Sequence, residues 1–195
     1  MEPIILASSS PRRQEYFKLL GLPFNIIPAK LDELPWEQQS AEEYTRDMAV
    51  RKIRRILEQL RGRIPQWICG ADTVIALGRE IFGKPRDRTE ARDMMEKLRG
   101  REHEVVTSVA LFGGKNQSTD CRTVRSRVVF APISDTELEW YLNTGEWQGA
   151  AGSYRIQGLG SCFISSIAGS HSAIVGLPLR EFYAMLIENG YQYGP

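Results

Sequence analysis

The chain has 195 residues, 42% apolar and 25% charged, with 25 Lys and Arg against 24 Asp and Glu. A balance this close to neutral excludes a general nucleic-acid binder, which would carry a basic excess. No run is long and apolar enough to span a membrane, and the length suits one domain, at most with two lobes, around a sizeable core.

Pro3 to Ala7 reads as a short buried strand. It runs into Ser8-Ser9-Ser10-Pro11-Arg12-Arg13 and then a helix over residues 11–20, stopped by Gly21. The first apolar run is too short for a signal peptide and lacks its flanks. Phe24 to Ile27 is a second short strand. Ser40 and Glu43 form a capping box for a long helix whose apolar stripe is Tyr44, Met48, Ile53, Ile56 and Leu60. Trp67 to Ala71 reads as a buried strand ending at Asp72-Thr73. A hairpin follows, Val74 to Leu77 against Glu80 to Phe82. Thr89 is the expected cap of a helix carrying Ala91, Met94, Met95 and Leu98. Strands are expected at Glu104–Phe112 and Thr123–Phe130, then a helix opened by Ser134-Asp135-Thr136-Glu137. A glycine-rich stretch, residues 145–160, precedes a strand over Ser161–Ile167 and a last helix over 179–189. This alternation predicts an α/β fold, and the hairpins predict a mixed sheet.

Several positions invite chemistry. The N-terminus of the first helix offers unpaired N–H groups and a positive dipole, yet Arg12 and Arg13 sit in its first turn. One reading is a phosphate held by a guanidinium fork; the other is an ordinary cap by Ser10 with Pro11 at the first helical position. Asp72 is placed at the end of a buried strand, the edge where α/β sheets bind ligands. A carboxylate there can hold Mg²⁺ or take a proton from water, or merely cap a turn. Lys84, between Gly83 and Pro85, could touch a phosphate. Asp32-Glu33 could contribute to a metal site or be solvated loop acids. Lys52 lies among Arg46, Arg51, Arg54 and Arg55, most of which read as a solvated face. Gln157, flanked by Ile156 and Gly158, could read a base edge through its paired donor and acceptor. Ser170-His171-Ser172 lacks the elbow of a serine hydrolase. Cys69, Cys121 and Cys162 are odd in number and far apart, which predicts reduced thiols and a cytoplasmic protein. With His103 and His171 the only histidines, a metal would be a hard ion on carboxylates.

Together, Leu6 to Arg13, Ala71-Asp72-Thr73-Val74, Gly83-Lys84-Pro85, Ala151 to Gly158 and Val175 to Leu179 resemble the Maf family of nucleoside triphosphate pyrophosphatases. The resemblance covers nearly the whole chain as one domain, residues 1–195. It implies an elongated mixed sheet flanked by helices, in two lobes with a central cleft, like the related inosine triphosphate pyrophosphatases. It implies cleavage of a nucleoside triphosphate to monophosphate and pyrophosphate with a divalent cation, Mg²⁺ or Mn²⁺. Arg12, Thr73 and Gln157 match the branch acting on dTTP and UTP; the 7-methyl-GTP branch has Trp, Gln and Glu there.

Carried over residue by residue, Asp72 is the proton acceptor. Arg13, Lys52 and Lys84 hold phosphates, Ser8 lines the phosphate loop, and Glu33 with Asp72 holds the metal. Arg12 and Gln157 help read the pyrimidine. The chain departs from the family at Gly149-Ala150, where Asp-Lys is usual, and at Arg155, where glycine is usual. The family often forms dimers. Two other readings stay open. One is a nucleotide-binding regulator of cell division with a vestigial site, which intact Asp72, Lys84 and Arg13 disfavour. The other is a 7-methyl-GTP or CTP preference, which Thr73 and Gln157 disfavour.

Overall fold

The computed structural model describes residues 1–31, 39–113 and 115–193. Its strands are β1 (Ile4–Leu6), β2 (Phe24–Ile26), β3 (Trp67–Leu77), β4 (Glu80–Phe82), β5 (Glu102–Gly113), β6 (Ser118–Phe130) and β7 (Ile164–Ala168). Its helices are α1 (Pro11–Leu19), α2 (Ala41–Gln59), α3 (Arg88–Leu98), α4 (Asp135–Thr144), α5 (His171–Val175) and α6 (Leu179–Glu188). The strands form one seven-stranded mixed sheet in the order β2-β1-β3-β5-β6-β7, with β4 paired to β3. β1 runs parallel to both β2 and β3, while β4 and β7 pair antiparallel. The expected α/β class with a mixed sheet is therefore present.

The chain divides into two compact units. The first comprises Met1–Asp72, Thr107–Val124 and Gly176–Pro195; the second comprises Thr73–Val106 and Arg125–Val175. In the first unit, strand alternation sorts residues onto two buried faces. Ile4, Leu6, Cys69 and Ala71 pack with Phe17 of α1 and with Phe182, Met185 and Leu186 of α6. Ile5, Ala7 and Ile68 pack with Ala49, Ile53 and Ile56 of α2. Burying a side chain such as Ile53 or Ile56 contributes about 2 kcal/mol each. In the second unit Met95 and Leu98 of α3 join Leu138, Tyr141 and Leu142 of α4, with Phe130 and Phe163, in a single core.

Local chemistry explains most boundaries. The Ser40–Glu43 capping box forms as expected, and so does one at Ser134–Glu137. Several expectations shift. β3 is continuous through Asp72 rather than ending there, because Val74 to Leu77 extend the same run to its pairing with β4. The cap of α3 is Asp87, whose carboxylate accepts from Glu90 N at 2.9 Å, so Thr89 lies inside the helix. β6 begins at Ser118, absorbing part of the expected connection. A 3-10 helix over Leu159–Phe163 delays β7 to Ile164. On α2, Thr45 is buried where Tyr44 was expected; its hydroxyl is satisfied by Ala41 O and Ser108 Oγ.

His103 is buried in the second unit, its Nε2 2.8 Å from Tyr154 Oη and its ring edge-on to Phe130. Burial lowers its pKa from 6.5 to about 4. The unfolded chain then binds the proton more readily than the folded one. The stabilisation from neutral His103 is complete above about pH 6.5 and lost as pH falls toward 4, a swing of about 3 kcal/mol. Urea midpoints measured from pH 7 to pH 4 should fall steeply. His103→Phe, which cannot titrate, should flatten that slope; an unchanged slope would contradict the assignment.

Candidate active site

Four of the expected site residues come together in the first unit. β1 and β3 pair in register, Ile5 with Ile68 and Leu6 with Cys69, and the ladder closes with Ala7 N donating to Cys69 O at 2.9 Å. Asp72 lies just beyond the last parallel pair. It therefore occupies the carboxyl edge of the parallel segment even though its own strand continues.

Lys52 reaches this edge from α2. The helix lies unusually close to β3 at Gly70, where an added Cβ would sit 2.4 Å from Ala49 O. Lys52 is three residues on from Ala49 and so shares its helix face. Its ammonium donates to Ala71 O at 2.9 Å and to Asp72 Oδ1 at 2.6 Å. Both side chains keep about one-sixth of their surface exposed, 15% and 16%. The second carboxylate oxygen, Oδ2, accepts no hydrogen bond among the described residues. The other cations of α2 behave as a solvated face: Arg51 pairs with Asp47, Arg55 with Glu58, and Arg46 donates to Cys121 O.

Arg13 is buried, and its guanidinium is oriented from two sides. Nε donates to Gly176 O at 2.8 Å and Nη1 to Ser8 Oγ at 3.1 Å. Burial lowers its pKa, and the Asp72 carboxylate opposes that shift. An arginine stays charged through such a shift. Ser10 gives α1 no side-chain cap; instead Ser8 Oγ accepts from Ser10 N at 3.2 Å. So the Ser8 hydroxyl folds the loop and orients Arg13 rather than closing the helix end. Across Ser8, Arg13, Lys52 and Asp72, two cations face one carboxylate, an arrangement suited to an anion. Cys69 is buried beside them, and burial pushes its thiol up to about 12, so it is inert.

Arg12 is half-buried in the same turn. Glu33, with Asp32, lies outside the described residues.

The second unit carries Thr73, Lys84 and Gln157. Thr73 is half-buried in β3. Lys84 is exposed, and the preceding Gly83 O accepts from Gly152 N at 2.9 Å. That bond ties the lysine turn to the glycine-rich segment that leads to Gln157. Gln157 is exposed, and its amide makes no hydrogen bond among the described residues. Arg155 is turned to Gln148 O at 2.7 Å, within its own loop. Ser170 and Ser172 bond each other at 3.1 Å, and the exposed His171 makes no hydrogen bond to either among the described residues.

Two contributors escaped the sequence reading. Gly176 was only part of a motif; its carbonyl holds Arg13. Gly70 had a legible signal, since glycine inside a strand marks close backbone approach.

The family model for Maf-like proteins matches residues 3–189. The chain belongs to the Maf family. A Maf relative from Myxococcus xanthus, named dTTP/UTP pyrophosphatase, is 41% identical over 96% of this chain and 92% of its own length. Relatives of the same name from Symbiobacterium thermophilum and Escherichia coli O157:H7 are 40% and 41% identical, covering 98% and 95% of this chain and 96% and 92% of their own. Among solved structures, the Staphylococcus aureus Ham1 protein is 15% identical, with a TM-score of 0.45 over 67% of this chain and 72% of its own. No described helix of this Maf protein is long and apolar enough to cross a membrane.

Proposed function

We propose that this protein hydrolyses dTTP and UTP to the monophosphate and pyrophosphate. The observation that carries the reading is the Lys52–Asp72 pair at the sheet edge, in a chain about 40% identical over nearly its full length to proteins named for that activity. In the reaction, a water oxygen bonds the α-phosphorus and the bridging oxygen leaves with pyrophosphate. Asp72 Oδ2 accepts the water's proton, while Lys52 on Oδ1 fixes the carboxylate's orientation. Arg13, Lys52 and Lys84 neutralise charge gathering on the leaving group. Ser8 holds the Arg13 fork in place.

A divalent cation fits the donor set in a limited way. Asp72 is a hard oxygen donor, and Oδ2, which accepts no hydrogen bond among the described residues, has a lone pair for a metal beside the one that takes the proton. Among the described residues there is no group of three or more His, Cys, Asp or Glu to build a closed cage. Mg²⁺ commonly binds through one or two carboxylates plus substrate phosphates. Asp72, with Glu33, would hold Mg²⁺ or Mn²⁺, and the bound ion would polarise the phosphate oxygens.

Gln157, Arg12 and Thr73 are the proposed base readers. The unengaged Gln157 amide can offer both a donor and an acceptor to the O4/N3–H edge of thymine or uracil. Replacing the amide by a carboxylate removes the donor. Gln157→Glu should lower kcat/KM for dTTP and UTP at least tenfold while changing purine nucleotides little; an equal loss on all would remove its reading role. The three unpaired cysteines and the balanced charge support a cytoplasmic enzyme of free nucleotides rather than nucleic acid. A homodimer is the assembly that the family resemblance implies.

The decisive assay offers the purified protein Mg²⁺ or Mn²⁺ with a panel of nucleoside triphosphates, and separates the products by chromatography. Monophosphate and pyrophosphate from dTTP and UTP are the expected products. Binding without turnover under either metal would favour a regulator with a vestigial site.

A further inference from the structure

Glu146 is a residue of the second unit whose engagement the proposed chemistry does not explain. It follows α4, separated from the helix end by Gly145. Its carboxylate accepts from Leu159 N at 2.8 Å and Gly160 N at 2.9 Å, and from the Tyr141 hydroxyl at 3.2 Å. These two amides begin the 3-10 helix Leu159–Phe163, which has no side-chain cap of its own. A carboxylate fastened across successive backbone N–H groups is a strong, charge-assisted clamp. It fixes the turn from Arg155 to Gly160, closed by Gly158 N donating to Arg155 O at 3.2 Å.

Gln157 sits at the exposed crest of that turn, so its backbone direction is set by a clamp that lies two and three residues away. Gly158 has a reason to be glycine. Its φ of −122° suits any residue, but a Cβ there would lie 2.3 Å from Glu146 Oε2. The missing side chain leaves room for the carboxylate.

We propose that Glu146 is the specificity-positioning residue of this protein: its clamp on the Leu159 and Gly160 amides holds Gln157 in the pose that reads the pyrimidine edge. The inference rests on the dTTP/UTP reading of Gln157. Glu146 acts through the turn and does not touch the nucleotide.

The test is kcat/KM for dTTP relative to dCTP, nucleotides that differ at the edge Gln157 would read. It is measured in the wild type, Gln157→Ala, Glu146→Ala, the double variant and Gly158→Ala. Glu146→Ala should lower the dTTP/dCTP ratio at least tenfold, toward that of Gln157→Ala. The double variant should fall no further than Gln157→Ala alone. Gly158→Ala should reproduce the loss, because its methyl evicts the carboxylate. A merely structural role lowers both nucleotides in proportion and leaves the ratio intact.

A ratio within twofold of wild type in Glu146→Ala, or losses that multiply in the double variant, overturns the proposal. If Glu146→Ala does not fold, Glu146→Gln replaces it. That variant keeps the shape and one acceptor and should show a smaller loss of the same ratio; an unchanged ratio counts against the proposal. Failure of the underlying reading shows separately. The wild type would not prefer dTTP, or Gln157→Ala would leave the ratio unmoved, and the Glu146 role would fall with it.

Discussion

Asp72→Asn should remove about 10³-fold of kcat while leaving the protein folded. The substitution keeps the shape of the side chain and an oxygen for the Lys52 ammonium, now 2.6 Å from Oδ1, and Lys52 keeps its bond to Ala71 O. It removes the anionic oxygen proposed to take the proton from water. Because the pair is partly exposed, the stability cost should be about 1 kcal/mol. Loss of the only carboxylate among Ser8, Arg13, Lys52 and Asp72 leaves two cations facing the nucleotide. Asp72 is also a proposed metal ligand, so the assay is run at saturating Mg²⁺, where KM for dTTP should stay level or fall. That split, a collapsed kcat with no rise in KM, distinguishes loss of a proton acceptor from loss of binding. Steady-state kinetics with product chromatography, alongside thermal melting, checks it. Turnover near that of the wild type would mean that another group accepts the proton.

The candidate site's residues were more legible in the sequence than the contacts that hold them. Asp72 stood out because a carboxylate follows an apolar run. The inference that it lies at a strand end was wrong about the strand, which continues to Leu77, yet right about the edge, since pairing with β1 stops at Cys69. Periodicity sees residue type, not where a neighbouring strand ends. The capping boxes were readable because Ser and Glu three apart are a local signal. Asp87 was missed as a cap because Thr89 is also a capping residue, and only the backbone geometry decides between them. The hydroxyl row Ser8-Ser9-Ser10 suggested a helix cap. The partner that redirects Ser8 is the buried Arg13, which is anchored in turn by Gly176, 163 residues away in sequence. Glu146 was equally hidden: its partners are backbone amides, which every residue has. Long-range backbone contacts leave no mark on composition or spacing, and they are what position both Arg13 and Gln157.

Arg13→Lys should lower kcat/KM for dTTP about 10²-fold and destabilise the fold by about 2 kcal/mol. The charge is conserved, but the fork is not. Arg13 spends Nε on Gly176 O and Nη1 on Ser8 Oγ, which aims the rest of its guanidinium. A single ammonium cannot reproduce that divergent pair, so one buried acceptor loses its donor and the remaining charge is no longer aimed. Burial, which already lowers the arginine's pKa, acts on a group with far less margin once lysine replaces it. A buried ammonium at this position sheds its proton at lower pH than a guanidinium does. The ratio of wild-type to variant activity should therefore widen as pH rises. Arg12→Lys, at a half-buried position in the same turn, should change stability little and show no such widening. Urea denaturation and kcat/KM profiles across pH 6 to 9 separate the two variants. If Arg13→Lys and Arg12→Lys behave alike, Arg13 serves as a diffuse cation and its anchoring by Gly176 and Ser8 has no part in catalysis.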